Sequence, residues 1–341
     1  MSSDIATVVV DNGSAMTKAG FSGDDSPRSI FPSRVGTPCQ SNLPVGSQYK
    51  DTYVGDEANV TTAILNLNNS PFKSTIKHKN DQEKIWHHVF YNELRVTPEE
   101  HPVLMTEIPL NDRMEREWMT SVIFETFHSP AFYVTIPGVL SIFSVGKLTG
   151  TVLDSGDNLN KYLMKLFNEK GYYFTSDAKK TLICDIKENY CFVSLNVEDD
   201  LHKISQESYT LPDGTQITLN KEIYKCPEAL FKPVEIESQG IHELIPSSIL
   251  KCPKDLWNEF SENIIVTGGS NLFRNFDVRF KNELTSCFKF SKINIFGPPD
   301  RIYSPWIGGS ILASLSTFPD VCISIHEYNE FGPSIINKKC F

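Results

Sequence analysis

Residues 7–21 read TVVVDNGSAMTKAGF: a β-branched run, Thr7-Val8-Val9-Val10, stops at Asp11-Asn12-Gly13-Ser14 and leads into Lys18-Ala19-Gly20-Phe21. An Asn-Gly pair between apolar runs is a two-residue turn signal, so the stretch predicts a β-hairpin near the N-terminus. The pattern returns twice. Gly150-Thr151-Val152-Leu153 stops at Asp154-Ser155-Gly156-Asp157, and Ile264-Ile265-Val266 stops at Thr267-Gly268-Gly269-Ser270-Asn271. Three strands therefore deliver glycine turns, two of them with an aspartate at the strand end, and they could converge on one ligand. Glycine lets backbone N–H groups approach an anion closely, and a strand-end aspartate can hold a hydrated divalent cation, so together they suit the phosphates of a Mg-nucleotide. Each turn alone reads as an ordinary hairpin turn; only the combination points to a ligand. A calcium loop from Asp154 fails, because its twelfth position is Lys165 where a bidentate glutamate is needed.

The surrounding chain has 341 residues, 40% hydrophobic and 22% charged, which predicts two domains or one large α/β body split by a ligand cleft. Its formal charge of -10, with no basic run to track a phosphate backbone, excludes nucleic acid as a partner. The longest nearly uncharged stretch, Trp306 to Phe318, is too short and too rich in glycine and serine for membrane insertion, and the start Met1-Ser2-Ser3-Asp4 lacks a signal-peptide pattern; both predict a cytoplasmic protein. Eight cysteines without a C-x-x-C pair read as reduced thiols, with neither a disulfide framework nor a zinc site, and Cys340 is expected to be the exposed one.

Helical periodicity fills the intervals. Asp81 to Arg95 places Ile85, Val89 and Phe90 on one face, and Asn111 to Ser129 carries Met114, Trp118 and Val122 four apart, predicting two core-packing helices. His87 and His88 point about 100° apart on such a helix and cannot share a metal. Leu159, Leu163, Leu166 and Phe167 form a stripe closed by Gly171, and Ser176 is the expected cap of a helix carrying Leu182, Ile186 and Tyr190. Ser304-Pro305 opens a helix with Ile307, Ile311, Leu312 and Leu315 inward, and Ser324 with Glu327 makes a capping box. The fold class is mixed α/β, with sheets flanked by helices.

Longer stretches carry a resemblance. VVVDNGSAMTKAGFSGDDSPRSIFPSRVG, EKIWHHVFYNELRVTPEEHPVL, TGTVLDSGD, IIVTGG, YSPWIGGSILASLSTF and GPSIINKKCF closely resemble the actin family over nearly the whole chain. The resemblance implies an actin-like ATPase fold of two lobes, or four subdomains, around a central nucleotide cleft. Residues 1–33, 70–137 and 305–341 would form subdomain 1 and 34–69 subdomain 2; 138–157 with 240–304 would form subdomain 3 and 158–239 a shortened subdomain 4. It implies ATP or ADP with Mg2+, or Ca2+ in its place, as cofactors. Gly13, Ser14, Ala15 and Met16 would offer backbone to the terminal phosphate, Lys18 would reach the phosphates, and Asp11 and Asp154 would hold the cation through water. Gly156 and Asp157 would complete a second phosphate clamp. Lys187 and Glu188 match the adenosine-contacting pair, and Gly268, Gly269 and Ser270 the turn against the base. Ile307, Ile311, Leu312, Leu315 and Thr317 resemble the cleft that receives actin-binding proteins and a neighbouring actin subunit, which places the chain in the cytoskeleton.

Departures limit what the resemblance implies. After Asp157 the chain passes straight to Asn158-Leu159-Asn160, where the family has a return strand and a further strand pair; roughly 25 to 30 residues are absent, enough for several strands. The missing piece includes the family's water-orienting histidine, and its loss leaves a sheet edge uncovered. Pro137 stands where actin has a water-positioning glutamine; it can open a helix but has no side-chain amide, so ATP hydrolysis is expected to be weak or absent. Ala15 replaces a glycine, which is tolerable at negative φ; Cys184 and Ile302 replace an arginine and a lysine near the adenine. Lys73 stands at a modified histidine, and Pro44 enters the loop 39–49 that docks between subunits. The leading expectation is a divergent actin that binds Mg-ATP as a filament subunit or filament-associated protein. The competing one is a non-enzymatic monomeric actin-like binding protein or a non-functional copy, and a sugar or acetate phosphotransferase on the same fold ranks far behind because no substrate base is in sight.

Overall fold

The computed structural model describes residues 5–39, 50–60, 65–69, 76–155, 158–174, 177–196, 207–211, 214–233, 239–287 and 292–340. Gly156, Asp157, Pro44, Lys73 and Ser176 lie outside them. The strands are β1 Val8–Asn12, β2 Met16–Phe21, β3 Ser29–Pro32, β4 Arg34–Pro38, β5 Tyr53–Val54, β6 Leu65–Asn69, β7 Val103–Thr106, β8 Ala131–Thr135, β9 Thr151–Asp154, β10 Glu207–Thr210, β11 Gln216–Leu219, β12 Ile264–Thr267, β13 Ile295–Phe296 and β14 Ile323–Ser324. The helices are α1 Asp56–Val60, α2 Ile76–His87, α3 Arg113–Ser121, α4 Pro137–Ser144, α5 Asn158–Glu169, α6 Asp177–Tyr190, α7 Glu222–Glu228, α8 Ile241–Ile249, α9 Trp257–Glu262, α10 Phe276–Cys287, α11 Ser304–Ala313, α12 Phe318–Val321, α13 Ile325–Phe331 and α14 Ile336–Lys339. Backbone contacts divide the chain into two compact units, residues 1–146 with 303–341 and residues 147–302.

The first unit is built on a six-stranded sheet of order β14-β8-β7-β1-β2-β3. The expected hairpin is there, with Val8 opposite Phe21 and Asn12 opposite Thr17. Its turn differs from the expectation: β1 runs on through Asp11 and Asn12, and three residues, Gly13 to Ala15, make the connection. Asn12 is drawn into the strand because its N–H finds Thr106 Oγ1 at 2.8 Å and its Nδ2 finds Thr106 O at 3.0 Å. Long-range partners thus outweigh the local turn preference of an Asn-Gly pair. Val8, Val9 and Val10 are buried on both faces, as a central strand requires.

Helix α11 lies against α4 because Gly308 has no side chain. A Cβ built there would sit 1.8 Å from Leu140 O, and one at Gly309 would meet Val9 Cγ1 at 2.9 Å. This close approach turns Trp306 into the core, where its Nε1 donates to Val9 O at 3.0 Å. It also corrects the expected inward face of this segment: Ile311 and Leu315 are exposed, while Trp306, Gly308, Gly309 and Ala313 face inward. Ile307 and Leu312 are partly buried against the same cluster.

Of the two predicted helices, Asp81 to Arg95 is α2 continued by a π-helical turn His88–Leu94 that closes at Arg95 with φ 55°, and Ile85, Val89 and Phe90 are fully buried. The second is shorter than expected. Asp112 caps α3 by accepting Met114 N–H at 2.8 Å, a π turn Val122–Thr126 follows, and Met114 is 74% exposed. Sitting in the first turn beside its cap, Met114 points past the core that Met119 and Val122 fill.

The C-terminal capping box forms as expected, with Ser324 Oγ accepting Glu327 N–H and Glu327 Oε2 accepting Ser324 N–H. Cys340, expected outside, is 1% exposed. The helical turn α14 packs Ile336 into the core, Arg116 Nη2 donates to Cys340 O at 2.9 Å, and burial pushes the Cys340 thiol up to about 11. The exposed thiol is Cys287.

The second unit holds a three-stranded parallel sheet, β13-β12-β9, and a hairpin of β10 with β11. Leu159, Leu163, Leu166 and Phe167 of α5 are buried with Ile183 and Ile186 of α6 in one apolar cluster, and Gly171 takes φ +88° after α5, as the stripe predicts. Strand β9 is the edge of its sheet among the described residues.

Candidate functional site

In the first unit the functional groups gather at the end of β1. Asp11 and Lys18 face each other across the hairpin, with Lys18 Nζ 2.8 Å from Asp11 Oδ2 and both residues under a tenth exposed. A lysine and an aspartate buried at that depth are retained only as partners. Gly13 is closed in: a Cβ there would meet Met16 O at 2.4 Å and Lys18 Nζ at 3.5 Å. Ser33 ties the turn down, its hydroxyl donating to Gly13 O at 2.6 Å and accepting from Thr17 Oγ1 at 2.8 Å, while Ser33 N–H donates to Ala15 O at 2.9 Å. Ser14 and Ala15 are exposed at the tip. Ala15 is not among the residues of positive φ, so it replaces glycine without backbone strain.

In the second unit, parallel pairing sets Thr267 opposite Asp154 and so delivers two of the three predicted turns side by side. Gly268 has φ +94°, and a Cβ there would fall 2.6 Å from Asp154 Oδ1. Only glycine fits both conditions. Gly268 N–H and Thr267 Oγ1 donate to Arg301 O, and Arg301 Nε donates to Asn271 Oδ1 at 2.8 Å; Asn271 Nδ2 in turn donates to Ser155 Oγ at 3.3 Å. Ser270 and Asn271 are buried, and Gly269 is exposed beside Ile302. On α6, Lys187 is buried, with its Nζ 4.0 Å from the exposed carboxylate of Glu188; Cys184 accepts Asn160 Nδ2 at 3.2 Å.

Pro137 is the first residue of α4, its missing N–H costing nothing there, and Ser141 Oγ donates to its carbonyl at 2.9 Å. Of the predicted partner-face residues, Leu315 lines a groove of about 1350 Å³ with Phe21, Ala313 and Phe318.

Comparison with known proteins follows the same residues. The family model described as Actin matches residues 2–162 and 158–341. A Dictyostelium discoideum protein named "Putative actin-29" is 42% identical over 377 residues, covering 98% of this chain and 97% of that protein. The chain belongs to the actin family. An actin is an α/β cytoskeletal protein, and the mixed sheets and helices here fit that class. No helix among the described residues is long and apolar enough to cross a membrane.

Sequence reasoning missed Thr106, Ser33 and Arg301, and read Asn271 only as the end of the third turn. Thr106 ends β7, a strand parallel to β1, so its meeting with Asp11 depends on a pairing that the sequence does not announce. A faint signal exists: the run Val103-Leu104-Met105 stops at a polar residue, as β1 does at Asp11.

Proposed function

We propose that this actin binds ATP or ADP with a divalent cation through the turns after β1, β9 and β12, turns ATP over slowly or not at all, and joins actin filaments inefficiently. The observation that carries the reading is the fit of Gly268 against Asp154, a close backbone approach with positive φ held beside an exposed carboxylate. The Asp11–Lys18 pair and the closed Gly13 supply the matching features in the first unit. The family's two-lobed, four-subdomain plan, with its 158–239 portion shortened, is part of the same reading.

In this reading Ser14, Ala15 and Met16 donate backbone N–H groups to the terminal phosphate and Lys18 pairs with phosphate oxygens. Asp11 and Asp154 accept from the water shell of the cation, which when bound neutralises phosphate charge. Gly156 and Asp157 form the second clamp; Lys187 and Glu188 meet the adenosine; Gly268, Gly269 and Ser270 lie against the base. Pro137 presents no amide to a water, and the segment after Asp157 is missing. Its absence is supported by the division of the family match into two stretches that overlap at 158–162, by an alignment of 377 residues on a chain of 341, and by the place of β9 at the edge of its sheet among the described residues. Phosphoryl transfer relies on positioning and electrostatics, so losing both water-orienting groups slows it by orders of magnitude.

The test is a thermal melt of the full chain with and without Mg-ATP, with phosphate release measured alongside. A cooperative transition shifted upward by nucleotide, with little phosphate released, is expected; a transition unmoved by Mg-ATP overturns the reading. A second reading, a monomeric non-enzymatic binder, is favoured by the exposed apolar residues Ile311 and Leu315. Sedimentation with actin separates the two, since protein that stays in the supernatant at every concentration removes the filament role.

A further inference from the structure

The carboxylate of Asp11 is held from two sides. Lys18 Nζ takes Oδ2 at 2.8 Å, and Thr106 Oγ1 donates to Oδ1 at 3.0 Å. The threonine hydroxyl also accepts Asn12 N–H at 2.8 Å, so its one proton is committed to Asp11. Asn12 closes the ring by donating Nδ2 to Thr106 O at 3.0 Å, and Trp86 Nε1 donates to Asn12 Oδ1 at 3.0 Å. Thr106 is 3% exposed, and the register of β7 on β1, Met105 beside Val10, sets it next to Asp11. With Lys18 alone, Asp11 would be free to rotate about its Cβ–Cγ bond and give both oxygens to the ammonium. The second donor fixes which oxygen faces Lys18 and which plane the carboxylate presents.

We propose that Thr106 is a positioning residue for the divalent cation of the nucleotide, acting through the orientation of Asp11; the inference rests on the nucleotide reading above. A hydroxyl bonded to a carboxylate is worth more than a neutral pair, and a misaligned carboxylate loses its grip on the water shell of the cation. The plain alternative is that Thr106 only satisfies Asn12 and the end of β1. That role would affect stability, with no special dependence on the metal.

The experiment measures ATP affinity of the full chain with Mg2+ and with chelator for wild type, Thr106→Val and Thr106→Ser. The valine variant keeps the shape and removes the donor; it is expected to weaken Mg-ATP binding about tenfold while metal-free ATP binding changes less than about twofold. The serine variant is expected to match wild type under both conditions. Equal losses with and without Mg2+, a serine variant as weak as the valine one, or a valine variant equal to wild type would each overturn the role. If the valine variant does not fold, Thr106→Cys, a weak donor of similar size, is expected to bind Mg-ATP more weakly than Thr106→Ser while metal-free binding is unchanged, and cysteine binding at wild-type strength overturns the role. A wild-type chain indifferent to Mg-ATP overturns the nucleotide reading and this role together, whereas the other outcomes bear on Thr106 alone.

Discussion

Strands β1 and β9 share a sequence device, an apolar run ending in aspartate, a small or polar residue and glycine, yet they end in opposite topologies. From β1 the chain turns back through Gly13 to Ala15 into β2, and with β7 on its other side β1 is interior to six strands. From β9 it goes within three residues into α5, and β9 is left at the edge of three strands among those described. A strand-Asp-x-Gly motif therefore specifies where a strand stops and what it presents there, while closure of the hairpin depends on residues that follow. The first site is over-determined by neighbours on both sides; the second is supported, among the described residues, from β12 and the turn that follows it.

The largest expected effect tests that contrast in stability. Gly308→Ala places a Cβ 1.8 Å from Leu140 O, under the helix whose Trp306 holds Val9, and is expected to cost about 3 kcal/mol. Gly150→Ala, just before β9, meets Asn263 O and Ile265 Cδ1 at 2.6 Å, where an edge strand can shift, and is expected to cost about 1 kcal/mol. Denaturant melts of the two variants rank them; equal losses would break the claim that β1 is the more tightly determined strand.

Next in size is Gly268→Ala. Its φ of +94° and the 2.6 Å approach to Asp154 Oδ1 predict a loss of about 2 kcal/mol together with a smaller thermal shift by Mg-ATP. A variant as stable as wild type would show that the turn relaxes freely and that the second site is looser than its backbone implies.

Amide exchange sharpens the comparison with a subtler signal. Thr151 N–H donates to Asn263 O, so the alternation of a parallel strand turns the Val152 N–H to the edge left open among the described residues. It is expected to exchange far faster than the amides of Val8, Val9 and Val10, which have strands on both sides. Protection of Val152 equal to that of Val9 would mean that another segment covers β9.

How much of this was readable in advance follows from the range of the forces involved. The hairpin, the buried faces around Ile85 and Leu163, the Ser324 capping box and proline at the start of α4 depend on neighbours within a few residues, and the sequence states them. The errors at Asn12, Ile311 and Cys340 share a different cause. Asn12 is captured by Thr106, α11 is turned by the absence of a side chain at Gly308, and Cys340 is drawn in by Arg116, contacts that span between 94 and 224 residues of chain for the hydrogen-bonded pairs. Apolar period locates a stripe on α11 but cannot tell that two glycines form the buried side. The site behaved alike: the glycines and aspartates were legible because turn chemistry is local, whereas Thr106 and Arg301, which hold them, were not.

The smallest expected effect concerns the far edge of the β1 sheet, where the two-residue β14 is the outermost strand and is followed by a capped helix. There β14 pairs Ile323 with Phe132, and the following cap brings Glu327 to Lys339 at 2.7 Å. The Lys339 ammonium, then the Ser324 N–H, hold the Glu327 carboxyl down to about 2, against an ordinary value of 4.5. A depressed carboxyl favours the folded state in full above the unfolded value and loses that contribution as pH falls from about 4.5 through about 2. The pair is a third exposed and screened by solvent, so Glu327→Gln is expected to lower stability by only about 0.5 kcal/mol at pH 6. Melting temperatures of wild type and variant should converge as the pH is taken down to 2. A gap that persists at that pH would assign the effect to the neutral hydrogen bonds of the cap, and the charge on Glu327 would then have no part in holding the segment after β14 in place.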